Sequence, residues 1–144
     1  MKLMVIKLNI KRILLFLFFN GLFSLNFLYS QKNTIDSINL VLSNRKINNT
    51  EKAELFLLLG KKQYQLQNFS NALDSYKIAL DLFNLNKNLI KKAEVFNHIA
   101  ILYSDINDYH ASLNYYMKAL EIYENLKEKE FEINTISDIG ELHM

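Results

Sequence analysis

The amino-acid sequence predicts an all-α protein, a solenoid of antiparallel helix pairs, and a regular internal repeat is the main reason. Small residues recur at a constant interval, at Gly60, Ala100 and Gly140, although the whole chain has only three glycines. This interval of about 40 residues lies within the range of about 20 to 50 that is the signature of stacked repeat units. The apolar residues before each small residue recur at the same interval, as Phe56 and Leu59, then Phe96 and Ile99, then Ile136 and Ile139.

Residues 1–30 are typical of a targeting segment. They carry four basic residues and no acidic one, and an apolar run follows over residues 13–29. A basic head, an apolar middle and a polar exit at Ser30 are the parts of a secretory signal peptide. The alternative is an uncleaved N-terminal membrane anchor, because about 17 apolar residues is the shortest stretch that spans a bilayer. Polar residues interrupt the run and favour cleavage, so we expect a protein exported to the bacterial periplasm or cell envelope.

The charge balance changes when residues 1–30 are set aside. The full chain has 17 basic and 15 acidic residues, and its net charge is +2. All 15 acidic residues lie after residue 30, and 13 basic residues remain there, so this part carries a charge of about −2. No basic face is left to attract nucleic acid. The chain has no cysteine and therefore needs no disulfide.

Residues 31–50 are predicted to form a leading helix and a turn. The helix resembles a degenerate second helix of a repeat, and we expect it to cap the apolar face of the first full unit. Thr50 is expected to be the N-cap of the next helix. The apolar residues at helical spacing in this segment are Ile35, Ile38, Val41 and Leu42.

Two helix pairs and a half follow. Residues 51–86 form the first repeat, with helices expected at about 51–66 and 69–85. Residues 87–127 form the second repeat, with helices expected at about 89–105 and 109–126. Residues 128–144 supply only the first helix of a third repeat. That helix would lack cover on one side, so we expect a truncated reading frame or the front of a longer protein, with self-association through the uncovered helix as a further expectation.

Residues 53–86 and 93–126 resemble tetratricopeptide repeats, which are helix-turn-helix units that stack into a right-handed superhelix. The family favours a large residue at repeat position 4, an aliphatic one at 7, a small one at 8, Ala at 20, an aromatic at 24 and Ala at 27. The departures here are Gln63 at position 11, Ser112 at position 20 and the absence of proline. The resemblance implies a right-handed α-solenoid of about two and a half repeats. The matching residues are Phe56, Leu59, Gly60, Ala72, Tyr76 and Ala79, then Phe96, Ile99, Ala100, Tyr116 and Ala119.

The resemblance also implies a concave groove lined by the first helix of each repeat, where a protein or peptide partner binds. Some members hold the terminal carboxylate of chaperones with a Lys, Asn and Arg clamp. Here Leu57 and Asp138 stand where a Lys and an Arg are expected, so carboxylate capture is not expected. The candidate partner-binding residues are Leu57, Lys61, Tyr64, Gln65, Asn97, Ile101, Ser104 and Asp105. The other groove positions are Glu54, Glu94, Asn134, Ser137 and Glu141.

The sequence predicts no catalytic residue, cofactor site or metal site. No glycine precedes a Lys-Ser or Lys-Thr pair, and the three histidines lack metal-ligand spacing. Asp105, Asp108 and His110 are expected in a solvated, capping turn. We therefore predict a non-enzymatic protein-interaction module. The alternative is an N-terminal sensor fragment, because the layout is similar to the extracytoplasmic front of bacterial membrane proteins with tetratricopeptide repeats before a histidine-kinase or DNA-binding output module. An enzyme with an unrecognised site is the third possibility.

Overall fold

The structure, a computed structural model, describes residue 30, residues 32–43 and residues 46–142. All regular structure in these residues is helical, as predicted. Residues 1–29 lie outside the described residues, so the export role of the targeting segment stays a prediction, as does the division into repeat units. No helix in the described part of the chain is both long and apolar enough to cross a membrane. The helices are α1 (residues 32–43), α2 (Asn49–Gln65), α3 (Phe69–Leu85), α4 (Leu89–Asp105), α5 (Tyr109–Leu126) and α6 (Lys129–Gly140).

Consecutive helices from α2 onward begin at evenly spaced positions, at residues 49, 69, 89, 109 and 129. Each of the four turns between them contains one residue with a left-handed backbone, with φ between 54° and 63°. The next backbone N–H bonds back to a carbonyl near the end of the preceding helix, as in Asn68 N to Gln63 O at 2.9 Å, which closes that helix end. Each period of the sequence repeat therefore contains two equivalent helix-turn units. The left-handed residues are Gln67, Lys87, Asn107 and Lys127.

The turns also cap the helices that follow them. The side chain of Asn48 accepts a hydrogen bond from Glu51 N at 2.8 Å, and the side chain of Asp108 accepts one from Ala111 N at 3.0 Å. The prediction that Thr50 is the N-cap is wrong, because α2 begins at Asn49 and Thr50 is already helical. The capping role predicted for the turn that contains Asp108 is confirmed.

The leading helix α1 lies beside α2. Ile38 is buried, and Val41 of α1 lines the same cleft as Leu55 of α2. A helix of this length is only marginally stable in water on its own. Burial of its apolar side chains against α2 therefore stabilises α1.

The two helices of the first repeat make close contact at Gly60. Tyr76 of α3 is only 1% exposed, and a Cβ added to Gly60 would lie 2.5 Å from two of its ring carbons. A small residue is therefore required at position 60 for the two backbones to approach. Ala100 repeats the arrangement in the second pair, where it is fully buried in one cluster with Tyr116.

Gly140 has no packing partner, as expected for a first helix that lacks cover on one side. Gly140 is exposed, and no atom lies within 4 Å of a Cβ added there. The residue that covers Gly60 comes from the second helix of the same repeat. The described residues contain no such helix beside α6, so nothing packs on Gly140 in this structure.

The large aromatic residues of helices α2 to α5 are buried or half-buried. Tyr76, Tyr116 and Phe96 are buried. Tyr103 and Tyr115 are half-buried and stack on each other, with ring centroids 5.6 Å apart and ring planes 7° from parallel. Stacked pairs of this kind add a modest stabilisation beyond the area that they bury.

The Gly60 contact predicts opposite outcomes for two matched substitutions. Gly60→Leu would force Tyr76 out of its position and should lower the free energy of unfolding by about 1 to 3 kcal/mol. Gly140→Leu places the same side chain in open space on a helix and should cause no loss, since leucine favours helix over glycine. Thermal unfolding followed by circular dichroism measures both. Equal losses in the two variants, or none at Gly60, would contradict this packing.

Candidate protein-interaction groove

Three clefts lie side by side along the first helices of the repeats, α2, α4 and α6. The first cleft, of about 300 Å³, and the middle cleft, of about 390 Å³, share Lys61. The middle cleft and a third cleft of about 310 Å³ share Ile101. Because neighbouring clefts share a wall residue, they form one groove. We call the third one the acidic cleft, and its lining is Ile101, Ser104, Asp105, Tyr116, Asp138, Glu141 and Leu142.

Most of the partner-binding residues predicted from the sequence line this groove. Lys61, Tyr64, Gln65 and Ile101 line the middle cleft. Ile101 also lines the acidic cleft, together with the last two of the set, Ser104 and Asp105. The structure thus brings together six side chains that repeat position alone predicts to face a partner.

Two residues of the predicted set are placed differently. Leu57 is 2% exposed and belongs to the main hydrophobic core, so it offers a partner almost no surface, although it reaches the wall of the first cleft. The amide of Asn97 donates to Thr135 Oγ1 at 3.1 Å, which joins α4 to α6. Leu57 therefore mainly packs the core, and the half-buried Asn97 joins two helices.

A cluster of charges joins α2 to α4 at the first cleft. The carboxylate of Glu94 accepts from Lys61 Nζ at 2.6 Å and from Lys91 Nζ at 3.0 Å. Lys91 also lies 3.6 Å from Glu54 of α2. His98 beside the carboxylate, together with Lys61 and Lys91, holds the pKa of Glu94 well below its ordinary range, and burial opposes them. We assign the larger share to the lysines, because the distance to His98 is 3.7 Å, longer than a hydrogen bond.

A second polar contact between the same helices lies at the middle of the groove. The Tyr64 hydroxyl of α2 donates to Asp105 Oδ2 of α4 at 2.5 Å. Burial first, and then this bond to a carboxylate, raise the pKa of Tyr64 to about 12. The phenol therefore stays protonated at neutral pH and keeps its proton directed at Asp105.

The floor of the groove contains two tyrosines from the second helices. Tyr76 of α3 lines the middle cleft and Tyr116 of α5 lines the acidic cleft, although they are only 1% and 4% exposed. Neither hydroxyl has a hydrogen-bond partner among the described residues. Burial raises the pKa of each phenol, and the pKa of Tyr116 is raised further by the charges of Asp138 and Glu141.

The sequence identifies both tyrosines as matches to the repeat pattern but does not predict their place in the groove. Each tyrosine belongs to the core and to the groove. Its ring packs on the small residue of the first helix, and the edge of the ring reaches a cleft. Their recurrence at the same repeat position, position 24, was the available signal. The other lining residues that the sequence did not propose for partner binding are Leu55, Leu58, Lys91, His98, Asp138 and Leu142.

Comparison with known proteins identifies the repeats. Residues 52–125 match the family model described as tetratricopeptide repeat. The chain belongs to the tetratricopeptide-repeat family. Its predicted fold, an all-α solenoid, is confirmed. Repeats of this family generally mediate protein–protein interaction and are typically non-catalytic scaffolds.

The chain is also similar in structure to BtubC (BKLC) from P. vanneervenii. The TM-score is 0.65 and the identity 18%, over 82% of this chain and 48% of that one. The chain thus spans about half the length of that protein, and the likeness shows the fold alone. No curated protein matches the chain.

The charge cluster at Glu94 predicts a pH-dependent stability. A carboxyl group whose pKa is lowered by folding stabilises the folded state above its unfolded pKa of about 4.3, and that contribution is lost as the pH falls below this value. Glu94→Gln should therefore lower the free energy of unfolding by about 1 kcal/mol at pH 7 and lose less than the wild type on acidification. Denaturant unfolding at pH 7, 5 and 3 measures the difference.

The control for this prediction is Glu124→Gln, an exposed carboxylate on α5 that forms no ion pair with the described residues. It should follow the wild-type pH profile. If Glu94→Gln also follows that profile, the charge cluster does not contribute to stability.

Proposed function

We propose that this protein is a non-enzymatic module that binds a protein or peptide in the groove along α2, α4 and α6. The observation that supports the proposal is the joining of the three clefts through Lys61 and Ile101, two residues at the same repeat position. A continuous groove beside parallel first helices fits an extended or helical peptide, with side chains of the peptide entering successive clefts.

We further propose that residues 1–30 export the module to the bacterial periplasm or cell envelope. The support is their basic head and apolar run, followed by a remainder that carries a charge of about −2. If the segment is not cleaved, it also anchors the module to the membrane. The alternative of a sensor fragment rests on this layout alone.

The groove is tested by a double variant and a matched control. Lys61→Glu with Tyr64→Ala reverses a charge and removes an aromatic ring inside the groove. Lys77→Glu with Ile78→Ala makes the same kind of change at exposed positions of α3, outside the three clefts. The full chain with a C-terminal affinity tag serves as bait in envelope and cytosolic extracts.

We expect the wild type and the control to capture the same envelope proteins and the groove variant to lose them. Thermal unfolding of each bait separates loss of binding from loss of fold. An unaltered partner set in the groove variant would refute the proposed groove. Two results together would contradict cleavage and export. They are capture of the same proteins from the cytosolic extract, and retention of the N-terminal segment by the tagged chain in cells.

We also propose that α6 associates with a second copy of the chain. Ile133 and Ile136 of this helix are 64% and 51% exposed, and two large aliphatic side chains on one helix favour burial against another surface. Sedimentation velocity over a concentration series should show a dimer for the wild type and a monomer for Ile136→Asp. Ile78→Asp, at an exposed position of α3, is the control and should still dimerise. A monomeric wild type at every concentration would rule the association out.

A further inference from the structure

The acidic cleft differs from the rest of the groove in its uncompensated charge. Asp105, Asp138 and Glu141 line it, and no lysine or arginine does. In the first cleft Glu54 pairs with Lys91, and the lining residue Lys61 pairs with the neighbouring Glu94. Among the described residues, no cation pairs with the three carboxylates of the acidic cleft. The groove thus ends in a site that attracts positive charge.

The floor of the acidic cleft supplies an independent indication of a ligand. Tyr116 is only 4% exposed, yet its hydroxyl opens toward the cleft and bonds to no described residue. The hydroxyl can be reached from the cleft, since the fully enclosed polar side-chain atoms without a partner in the described residues are Asn86 Nδ2, Asn97 Oδ1 and Ser112 Oγ. A ligand that donates a hydrogen bond at this position would satisfy the phenol oxygen, which both donates and accepts.

The shape and the walls of the cleft indicate what kind of cation fits. Ile101 and the buried Leu142 give it apolar sides, and its volume is about 310 Å³. The aliphatic stems of lysine and arginine pack on such sides while their charged heads reach polar groups. The described residues contain no cluster of His, Cys, Asp or Glu suited to hold a metal ion. A long organic cation is therefore favoured over an inorganic one.

We propose that the acidic cleft binds a lysine or arginine side chain of the partner, with its stem between Ile101 and Leu142 and its charged head donating to Asp138, Glu141 and the Tyr116 hydroxyl. The inference rests on the proposed function, because it takes the groove as the partner-binding face. It deepens that function by naming a basic residue at one end of the bound segment.

The environment of Asp138 agrees with this assignment. Burial, and then the neighbouring charge of Glu141, raise the pKa of the Asp138 carboxyl. Both effects disfavour the ionised form of Asp138. A cation bound between these two carboxylates offsets their repulsion and favours that form.

The inference is tested by titrating the ¹⁵N-labelled full chain with small probes in nuclear magnetic resonance experiments. The probes are N-acetyl-arginine amide, N-acetyl-lysine amide and, as the uncharged isostere of the first, N-acetyl-citrulline amide. We expect the amide signals of Ile101, Asp105 and Leu142 to shift and saturate with the two cations. Citrulline should bind at least about fivefold more weakly, because it lacks the charge.

Variants separate the cleft from the general negative charge of the chain. Asp138→Asn with Glu141→Gln should weaken arginine binding at least about fivefold. Tyr116→Phe keeps the buried ring, and it should weaken binding by about two- to fivefold through loss of one hydrogen bond. The control is Asp81→Asn with Glu124→Gln, two exposed carboxylates outside the groove, and it should bind as the wild type does.

Three results would overturn the inference: citrulline binding as tightly as arginine, unchanged binding in both cleft variants, or shifts of the same amides by calcium ions at the same concentration. If the Asp138 and Glu141 variant does not fold, Tyr116→Phe still decides. If arginine does not bind while the Lys61 and Tyr64 variant loses its captured proteins, the groove stands and only the basic-residue inference falls. If both experiments fail, the proposed groove falls as well.

Discussion

The contact between a small residue on the first helix of each pair and a tyrosine on the second determines much of this structure. Gly60 faces Tyr76, and Ala100 lies in one buried cluster with Tyr116. Close approach of the backbones buries each ring almost completely and leaves its edge at the bottom of a cleft. The same side chains therefore fix the packing of the pair and supply the floor of the groove.

The regular turns give the groove its continuity. Because the helices from α2 onward begin at a constant interval, the first helices start at residues 49, 89 and 129 and present equivalent positions to the same side. Repeat position 9 shows the consequence, since it holds Lys61, Ile101 and Glu141 in turn. These three residues also lie in successive clefts, and the chemistry of the groove changes along them from basic and ion-paired, through apolar, to acidic.

Sequence reasoning predicted the fold well, because hydrophobic spacing and small residues repeat strictly. The predicted helices 69–85, 89–105 and 109–126 coincide with α3, α4 and α5. The sequence did not reveal the shorter period of one helix and one turn. Glycine would have marked its left-handed turn positions clearly, but they hold other residues, namely Gln67, Lys87, Asn107 and Lys127. A left-handed backbone at glutamine or lysine is unfavourable and is maintained here by the hydrogen bonds of the helix ends.

The candidate site could be predicted only in part. The position of a residue within the repeat indicates which way its side chain faces, but it does not show whether that side chain is exposed or already bonded to another residue. Leu57 points toward the first cleft but packs in the core, and Asn97 is engaged by Thr135. Gly140 matches the repeat in sequence, yet nothing packs on it. The acidic cleft depends on α4, α5 and α6 together, so residues such as Asp138 and Leu142 acquire their significance only when the helices are assembled.

The claim that partners bind along the first helices is tested most directly by site-specific photo-crosslinking in living cells. A photoreactive phenylalanine analogue is placed at Gln65, which is exposed and lines the middle cleft, or at Lys77, which is exposed on α3. We predict crosslinks to another protein from position 65 and none from position 77. Crosslinks from position 77 alone, or from neither position, would contradict the assignment of the groove as the binding face.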